Sequence, residues 1–121
     1  MSTPALAFVG DAAYELYVRA RLAAEGKASA DRLHRAAVRY VRASAQAQAM
    51  RALLPDLSEE DAAVVRRARN HKPKSMPKNA DPAQYRWATA FEALCGHYYL
   101  KGRTGEMETL FAAAMRAIDD A

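Results

Sequence analysis

The amino-acid sequence predicts an all-α protein, and three of its features support that fold class. Helix-start signals, each a capping residue followed by proline or acids, recur along the chain, as in Asp81-Pro82 and in Ser58 followed by three acids. Apolar residues recur with helical spacing, and nothing alternates with a period of two for long enough to indicate a strand. A chain of 121 residues has room for one hydrophobic core and not for two. We therefore expect a single domain, residues 1–121, of five to seven helices.

Start and stop signals place the individual helices. Thr3 and Pro4 cap and open the first helix, Gly26 ends it, and Ser29 caps the second. Residues 70–81, NHKPKSMPKNAD, contain two prolines and no apolar periodicity, so we expect a loop there, called the basic loop below. The helices should span about residues 4–24, 29–53, 58–70, 82–101 and 104–118, and the second can break in two near Arg42.

The positive charge of the chain is concentrated in one segment. The net charge is +4, but residues 62–80 hold six cations and no acid, so the remaining 12 Lys and Arg are outnumbered by 14 Asp and Glu. Cations and amides on a proline-stiffened loop suit contacts to the backbone and groove edges of a nucleic acid. The predicted nucleic-acid contacts are Arg66, Arg67, Arg69, Asn70, His71, Lys72, Lys74, Lys78 and Asn79.

Cysteine content and hydropathy bear on the compartment. One cysteine cannot form an internal disulfide, which favours a reducing compartment. No apolar run is long enough to span a bilayer, and no cationic and apolar leader precedes the first helix. We expect a soluble, cytoplasmic protein without a membrane partner.

The stretch FVGDAAYEL, residues 8–16, places an acid, Asp11, inside an apolar run. On a helix, Asp11, Glu15 and Arg19 form one stripe, and apolar residues cover nearly all of the remaining surface. Such a helix is buried or shared between two subunits, so Asp11 is not expected to be simply exposed to water. Periodicity alone leaves two interpretations open. Glu15 and Arg19 can form a structural pair with Asp11 bonded to a neighbouring backbone, or Asp11 belongs to a site.

Glu92 repeats this pattern in WATAFEALCGHYYL, residues 87–100, where it is the only acid. Two lone carboxylates in two core helices would repel each other if they met, so they would share a proton or a cation. A hard divalent cation with water in its remaining positions suits such a pair, which is typical of Mg²⁺. Asp11 and Glu92 are therefore the best candidate site.

Other reactive side chains are weaker candidates. Cys95 is expected to be a small core residue, and His97 has no Cys or His at zinc-ligand spacing. His34 and His71 lie among cations, where they can contact phosphate or simply face solvent. Four arginines recur along one side of the second helical stretch and form either a nucleic-acid contact or a solvated face: Arg32, Arg35, Arg39 and Arg42.

At this point the motifs carry a family resemblance. FVGDAAYEL resembles the ribonuclease III signature, in which a Phe-Leu-Gly-Asp-Ala-Val-Leu type of run carries a catalytic Asp, and FEALCGHYYL resembles the second signature, which carries a metal-binding Glu. Matched motif to motif, Asp11 takes the first role and Glu92 the second. The segments RNHKPKSMPKN and LHRAAVRYVRASAQAQA resemble the short subclass, Mini-ribonuclease III, a catalytic domain without a double-stranded-RNA-binding domain. The match runs from about Leu6 to Leu100.

Two positions depart from the larger members of the family. Those enzymes place a Glu four residues before the signature Asp and an Asp three residues before the signature Glu, where this chain has Ala7 and Thr89. The departure favours water-mediated coordination over a second metal ion held by the protein.

The resemblance implies a ribonuclease III endonuclease-domain-like helical bundle. It implies a homodimer packed through the first helix, with one site per subunit along an RNA-binding valley. The implied activity is Mg²⁺-dependent hydrolysis of double-stranded RNA to 5′-phosphate and 3′-hydroxyl ends, with Mn²⁺ as a substitute, in the maturation of large-subunit ribosomal RNA. Two alternatives stay open: an RNA-binding or ribosome-assembly module without the chemistry, and a helical DNA-binding regulator.

Overall fold

The computed structural model is helical, as the sequence predicts. It describes residues 1–26 and 29–121, and within these ranges it contains six α-helices, one 3₁₀ turn and no strand. The 3₁₀ turn, Leu54–Asp56, follows the third helix. The helices are α1 (Thr3–Ala24), α2 (Ala30–Val41), α3 (Ala43–Leu53), α4 (Glu59–Asn70), α5 (Pro82–Leu100) and α6 (Thr104–Asp119).

The helix starts follow the capping signals, with one correction. Ser29 and Ser58 accept hydrogen bonds from Arg32 N and Asp61 N, as expected of N-cap residues. At the first helix the cap is Ser2 rather than Thr3, because the Ser2 hydroxyl accepts from the Ala5 N–H at 3.3 Å. Thr3 is already helical and is buried.

The predicted break between α2 and α3 is confirmed at Arg42. This residue adopts φ −66° and ψ 154°, an extended conformation that ends one helix and starts the next. The basic loop is also confirmed, since residues 71–81 contain no helix and Asp81 caps α5 by accepting from Ala83 N at 3.0 Å.

Helix α5 is the centre of the bundle, and α1, α3 and α4 pack around it. Phe91, Leu94 and Cys95 on α5 are fully buried. The ring of Tyr14 on α1 meets Phe91 edge-on, with ring centroids 4.9 Å apart. Each large apolar side chain buried in this way contributes about 1.5–3 kcal/mol to folding. The core therefore fixes α1 against α5, the two helices that carry the candidate acids.

Two glycines let α1 and α5 approach each other backbone to backbone. A Cβ atom on Gly10 would overlap the carbonyl oxygen of Glu92 and lie 2.7 Å from the backbone N of Gly96. A Cβ atom on Gly96 would overlap the carbonyl oxygen of Leu6. No side chain fits at either position, so glycine is required for this crossing. The crossing lies beside Asp11 and Glu92, so the glycines bring the two acids together.

One face of α1 stays exposed and apolar. Phe8 is 82% exposed and Leu16 is 70% exposed, and the exposed Ala12 lies between them at helical spacing. The buried face of α1 is formed by small and aromatic residues such as Ala7, Gly10 and Tyr14. The helix is thus apolar on both faces, and in the single protomer only one of them is covered.

Candidate active site

The two candidate acids share one cleft. Asp11 on α1 and Glu92 on α5 line a cavity of about 640 Å³ whose other walls are the start of α1 and the basic loop. Asp11 is exposed and Glu92 is only partly buried. The expectation that Asp11 avoids water is therefore wrong for the protomer, because Asp11 lies on the open side of the α1–α5 crossing.

The electrostatics of Glu92 follow from this position. Burial raises the pKa of Glu92, and the charge of Asp11 together with a hydrogen bond to Asp11 raises it further, to about 8. The amide of Gln46, which lines a small cavity with Glu92, acts in the opposite direction and lowers that pKa. Near neutral pH Glu92 therefore keeps its proton in the absence of a counter-charge.

The chemistry of this pair fits a hard divalent cation. A cation between the two carboxylates can take the place of the Glu92 proton, and Mg²⁺ prefers oxygen ligands with water in its open positions. Among the residues that the structure describes, no cluster of three or more His, Cys, Asp or Glu side chains could hold a metal ion. Any ion bound by this pair would complete its coordination with water or substrate oxygens.

The positions of the two absent carboxylates also face this cleft. Ala7 and Thr89 both line the cavity that holds Asp11 and Glu92. Side chains longer than those present would therefore point toward the same volume. The departures from the larger enzymes noted in the sequence lie inside the candidate site and not at its periphery.

The basic loop also lines the cleft, but not all of its predicted contacts reach it. His71, Lys72 and Lys74 line the cavity with the acids. Lys78 and Asn79 line a neighbouring cavity of about 530 Å³ that also borders α3. Within the described part of the chain, no carboxylate lies within ion-pair distance of these three lysines. The charges of Lys72 and Lys74 are therefore available to an anion in the cleft.

The predicted contacts on α4 lie outside the cleft. Arg66 and Arg67 are exposed on the helix, with Arg66 4.0 Å from Glu59. Arg69 stacks over the ring of Trp87, with its guanidinium carbon 5.0 Å from the ring centroid. Asn70 is exposed at the last helical position. The structure thus separates the basic segment into residues that line the cleft and residues that extend away from it.

Sequence reasoning missed two further residues that line the cleft. Tyr85 and Arg86 on α5 line the cavity with the acids. Tyr85 also lines two neighbouring cavities, the one that holds Lys78 and Asn79 and a smaller one beside Gln46. The signal available for Tyr85 was its spacing, because it precedes Glu92 by seven residues, or two helical turns, and so lies on the same face of α5. Arg86 adds another cation to the cleft.

A second buried acid was also missed, and it is structural. Asp61 is 3% exposed and accepts two hydrogen bonds of 3.0 Å from the Arg103 guanidinium and one of 2.5 Å from the Tyr98 hydroxyl. Burial acts to raise the pKa of Asp61, but the hydrogen bonds from Arg103 and Tyr98 outweigh it and hold the pKa below its ordinary value. This network fastens α4 to the turn between α5 and α6.

The weaker candidates behave largely as expected. Cys95 is a fully buried free thiol, and burial raises the pKa of this thiol well above its ordinary value, so it is not a nucleophile. Burial lowers the pKa of His97, whose Nε2 atom is buried and has no hydrogen-bond partner among the described residues. Glu15 and Arg19 form the expected ion pair at 3.3 Å.

The arginine stripe on α2 is exposed, as a solvated face would be. One member is engaged, since Arg39 pairs with Asp119 at 3.0 Å and lies over the Tyr40 ring. The stripe ends at Arg42, next to the α2–α3 break, and nucleic-acid contact by the other members stays a prediction. In the described residues no helix is both long enough and apolar enough to cross a membrane.

Comparison with known proteins decides the family. The Ribonuclease III domain model matches residues 4–103, which is most of the chain. The chain belongs to the ribonuclease III family. Its similarity to Mini-ribonuclease 3 of Symbiobacterium thermophilum is 46% identity over 114 residues, covering 94% of this chain and 88% of that protein. Mini-ribonuclease 3 of Brevibacillus brevis is also 46% identical over 114 residues, with 94% and 85% covered.

A solved structure agrees with this placement. A crystal structure of a Fusobacterium nucleatum protein superimposes with a TM-score of 0.85 at 29% identity, covering 95% of this chain and 92% of that one. The ribonuclease III resemblance and the all-α fold predicted from the sequence are confirmed. As a ribonuclease III family member, the chain is an endoribonuclease.

Proposed function

We propose that this endoribonuclease hydrolyses double-stranded RNA in a Mg²⁺-dependent reaction, with Asp11 and Glu92 as metal ligands. The observation that carries the proposal is the cleft itself, which the two acids line together with several cations. This arrangement separates the two tasks that phosphodiester hydrolysis requires. The acids provide a site for a divalent cation, and the lysines neutralise the phosphates on either side of it.

The residues of this chain have distinct roles in the proposed reaction. Asp11, on the open side, and Glu92, partly buried, together present oxygen ligands toward the scissile phosphate. When bound, Mg²⁺ supplies a Lewis acid and an activated water for attack at phosphorus. Lys72 and Lys74 hold the backbone of the cut strand across the cleft and stabilise its negative charge. The products are 5′-phosphate and 3′-hydroxyl ends.

The basic loop recognises the shape of the RNA and not its sequence. An A-form duplex has a deep and narrow major groove that side chains do not read, so recognition falls on phosphates and the shallow minor groove. The exposed arginines at the end of α4 and the lysines of the loop are placed to follow such a backbone. The natural substrate we propose is a large-subunit ribosomal RNA precursor, on the strength of the subclass resemblance. Deleting the gene should then leave that precursor with unprocessed ends.

The exposed face of α1 supports a homodimer. Phe8, Ala12 and Leu16 form an uncovered apolar stripe, and burying a Phe or Leu side chain contributes about 1.5–3 kcal/mol. The L16E variant should run as a monomer in size-exclusion chromatography with light scattering. The L100E variant alters an exposed leucine outside α1 and should leave the mass unchanged. A monomeric wild-type protein would contradict the dimer.

Removing the charge of Asp11 tests the catalytic assignment. The D11N variant should lose cleavage of a labelled RNA duplex by 100-fold or more while it still binds the duplex. The matched control is E15Q, which removes a carboxylate one turn further along α1 that pairs with Arg19 and not with the cleft. Cleavage by D11N at the rate of E15Q would refute the metal-ligand role of Asp11.

A second function, an RNA-binding module without the chemistry, is favoured by one observation. Ala7 and Thr89 line the cleft where larger family members carry carboxylates. The deciding experiment incubates duplex RNA with a large excess of wild-type protein and Mg²⁺. Retained binding without any cleavage would support the module, and cleavage that EDTA abolishes would support the nuclease.

The DNA-binding alternative is tested by competition. Duplex RNA and B-form DNA of matched length compete for the protein at one fixed salt concentration, because electrostatic affinity depends on salt. We expect RNA to displace DNA.

A further inference from the structure

Gln46 is a buried polar residue beside the candidate site. It lies on α3 and is only 3% exposed, whereas most of its neighbours on that helix are alanines. Burying a side-chain amide costs free energy unless its polar atoms are hydrogen-bonded. A glutamine in an alanine-rich helix core therefore needs partners, and the structure shows where they lie.

One partner fixes the side chain at the α2–α3 break. The Gln46 Nε2 atom donates a hydrogen bond of 3.0 Å to the carbonyl oxygen of Val41. Val41 is the last residue of α2, and the carbonyl groups at a helix end lack intrahelical partners. The extended conformation of Arg42 turns the chain immediately after it. The amide is thus anchored to a backbone position that the fold itself determines.

The other side of the amide faces Glu92. Gln46, Thr89 and Glu92 line one small cavity of about 230 Å³ between α3 and α5. An amide nitrogen carries two hydrogens, and the bond to Val41 uses one of them. The second N–H is left to donate to a group that lines the same cavity, and the Glu92 carboxylate is an acceptor there. The Gln46 amide also acts to lower the pKa of Glu92, against the raising effects of burial and Asp11.

We propose that Gln46 is a positioning residue, whose amide is anchored on Val41 and donates to Glu92 so that the Glu92 carboxylate faces Asp11 in the orientation that binds a divalent cation. The inference rests on the proposed function of the Asp11–Glu92 pair. Gln46 touches neither the reacting phosphate nor the attacking water. It acts only through Glu92, and it explains how one partly buried acid keeps its orientation with few protein ligands around it.

The test compares two glutamines of the same helix. Q46M keeps nearly the same volume and removes both N–H donors, and Q48M makes the same change at an exposed position two residues further along. Residues that orient a metal ligand typically change metal affinity or activity by about 10–100-fold when they are removed. We expect Q46M to bind Mn²⁺ about 10-fold more weakly by titration calorimetry, and to need proportionally more Mn²⁺ for half-maximal cleavage. Q48M should match the wild type in both.

A purely structural role for Gln46 would give a different result. If the side chain only fills space, Q46M binds Mn²⁺ with wild-type affinity, and this outcome overturns the proposal. The melting temperature of each metal-free variant reports on folding separately. The D11N variant separates a failure of the metal site from a failure of the Gln46 proposal. Unchanged Mn²⁺ binding by D11N refutes the metal site itself. Wild-type Mn²⁺ binding by Q46M together with weakened binding by D11N refutes only the role of Gln46.

A measurement on the wild-type chain keeps the proposal testable if Q46M does not fold. In ¹⁵N-labelled protein, the side-chain amide signals of Gln46 should shift when Mg²⁺ is added, because the carboxylate that accepts from them changes its charge and position. The Gln48 side-chain signals should not move. Gln46 signals that stay unchanged at saturating Mg²⁺ would overturn the proposal.

Discussion

Replacing Glu92 by Gln should stabilise the metal-free protein at alkaline pH, although it removes a proposed metal ligand. Burial and the neighbouring Asp11 raise the pKa of Glu92 from 4.5 to about 8. The folded state therefore binds this proton more tightly than the unfolded state does. The contribution is fully favourable below about pH 4.5, declines as the pH rises toward 8, and is lost above that value. A glutamine at this position has no proton to lose.

The magnitude follows from the same pKa difference. One pKa unit corresponds to about 1.4 kcal/mol, so the difference between 4.5 and about 8 corresponds to roughly 5 kcal/mol at most. Asp11 is exposed and the cleft is open to water, which screens the repulsion between the two acids. We expect about half of that value, or roughly 2–3 kcal/mol, to be realised. This is still a large fraction of the stability of a small domain.

The assay is urea denaturation in EDTA at a series of pH values between about 5 and 9. Wild type and E92Q should have nearly equal free energies of unfolding at the acidic end, and E92Q should become the more stable protein as the pH rises. E15Q serves as the control and should follow the wild-type curve. D11N should show a shallower pH dependence than the wild type, because one cause of the raised Glu92 pKa is removed. Parallel curves for wild type and E92Q would refute the reasoning.

Two further predictions concern the helix crossing and the basic loop. The G10A variant should lose at least about 3 kcal/mol of folding free energy in urea denaturation, since its Cβ would overlap the Glu92 backbone. G105A has open space around it and should be neutral or stabilising, so equal effects of the two changes would contradict the crossing argument. Replacing Lys72, Lys74 and Lys78 together by Ala should weaken binding of an RNA duplex and reduce the slope of log affinity against log salt by about one per lost phosphate contact. An unchanged slope would show that the loop does not touch phosphate.

Much of the fold could be predicted because its helix boundaries depend on local chemistry. Ser29, Ser58 and Asp81 cap helices through hydrogen bonds to backbone N–H groups three or fewer residues away. The sequence also allowed a break near Arg42, and the structure has it there. The miss at Thr3 has the same cause, since Ser2 is an equally good cap and only the backbone conformation distinguishes the two.

The parts of the site that could not be predicted depend on contacts between helices. Asp11 and Glu92 were identified as isolated acids, but their exposure follows from how α1 crosses α5. Gln46 gave no signal, because a glutamine among alanines is unremarkable until the α2–α3 break places it beside Glu92. Asp61 was assigned to a helix start, which is correct, but its burial against Arg103 is set by a residue 42 positions away.

The helix crossing and the chemistry of the site are parts of one arrangement. Gly10 directly precedes Asp11, and Gly96 follows Glu92 by one helical turn, so the two positions that admit only glycine border the two acids. Burial is the first cause of the raised pKa of Glu92, and the close approach that the glycines allow adds the charge of Asp11 to it. A wider helix pair would weaken the repulsion between the two acids, and it would also separate the two oxygen ligands that we propose for a divalent cation. The instability expected of metal-free protein at alkaline pH is therefore a direct consequence of the geometry that we propose for metal binding.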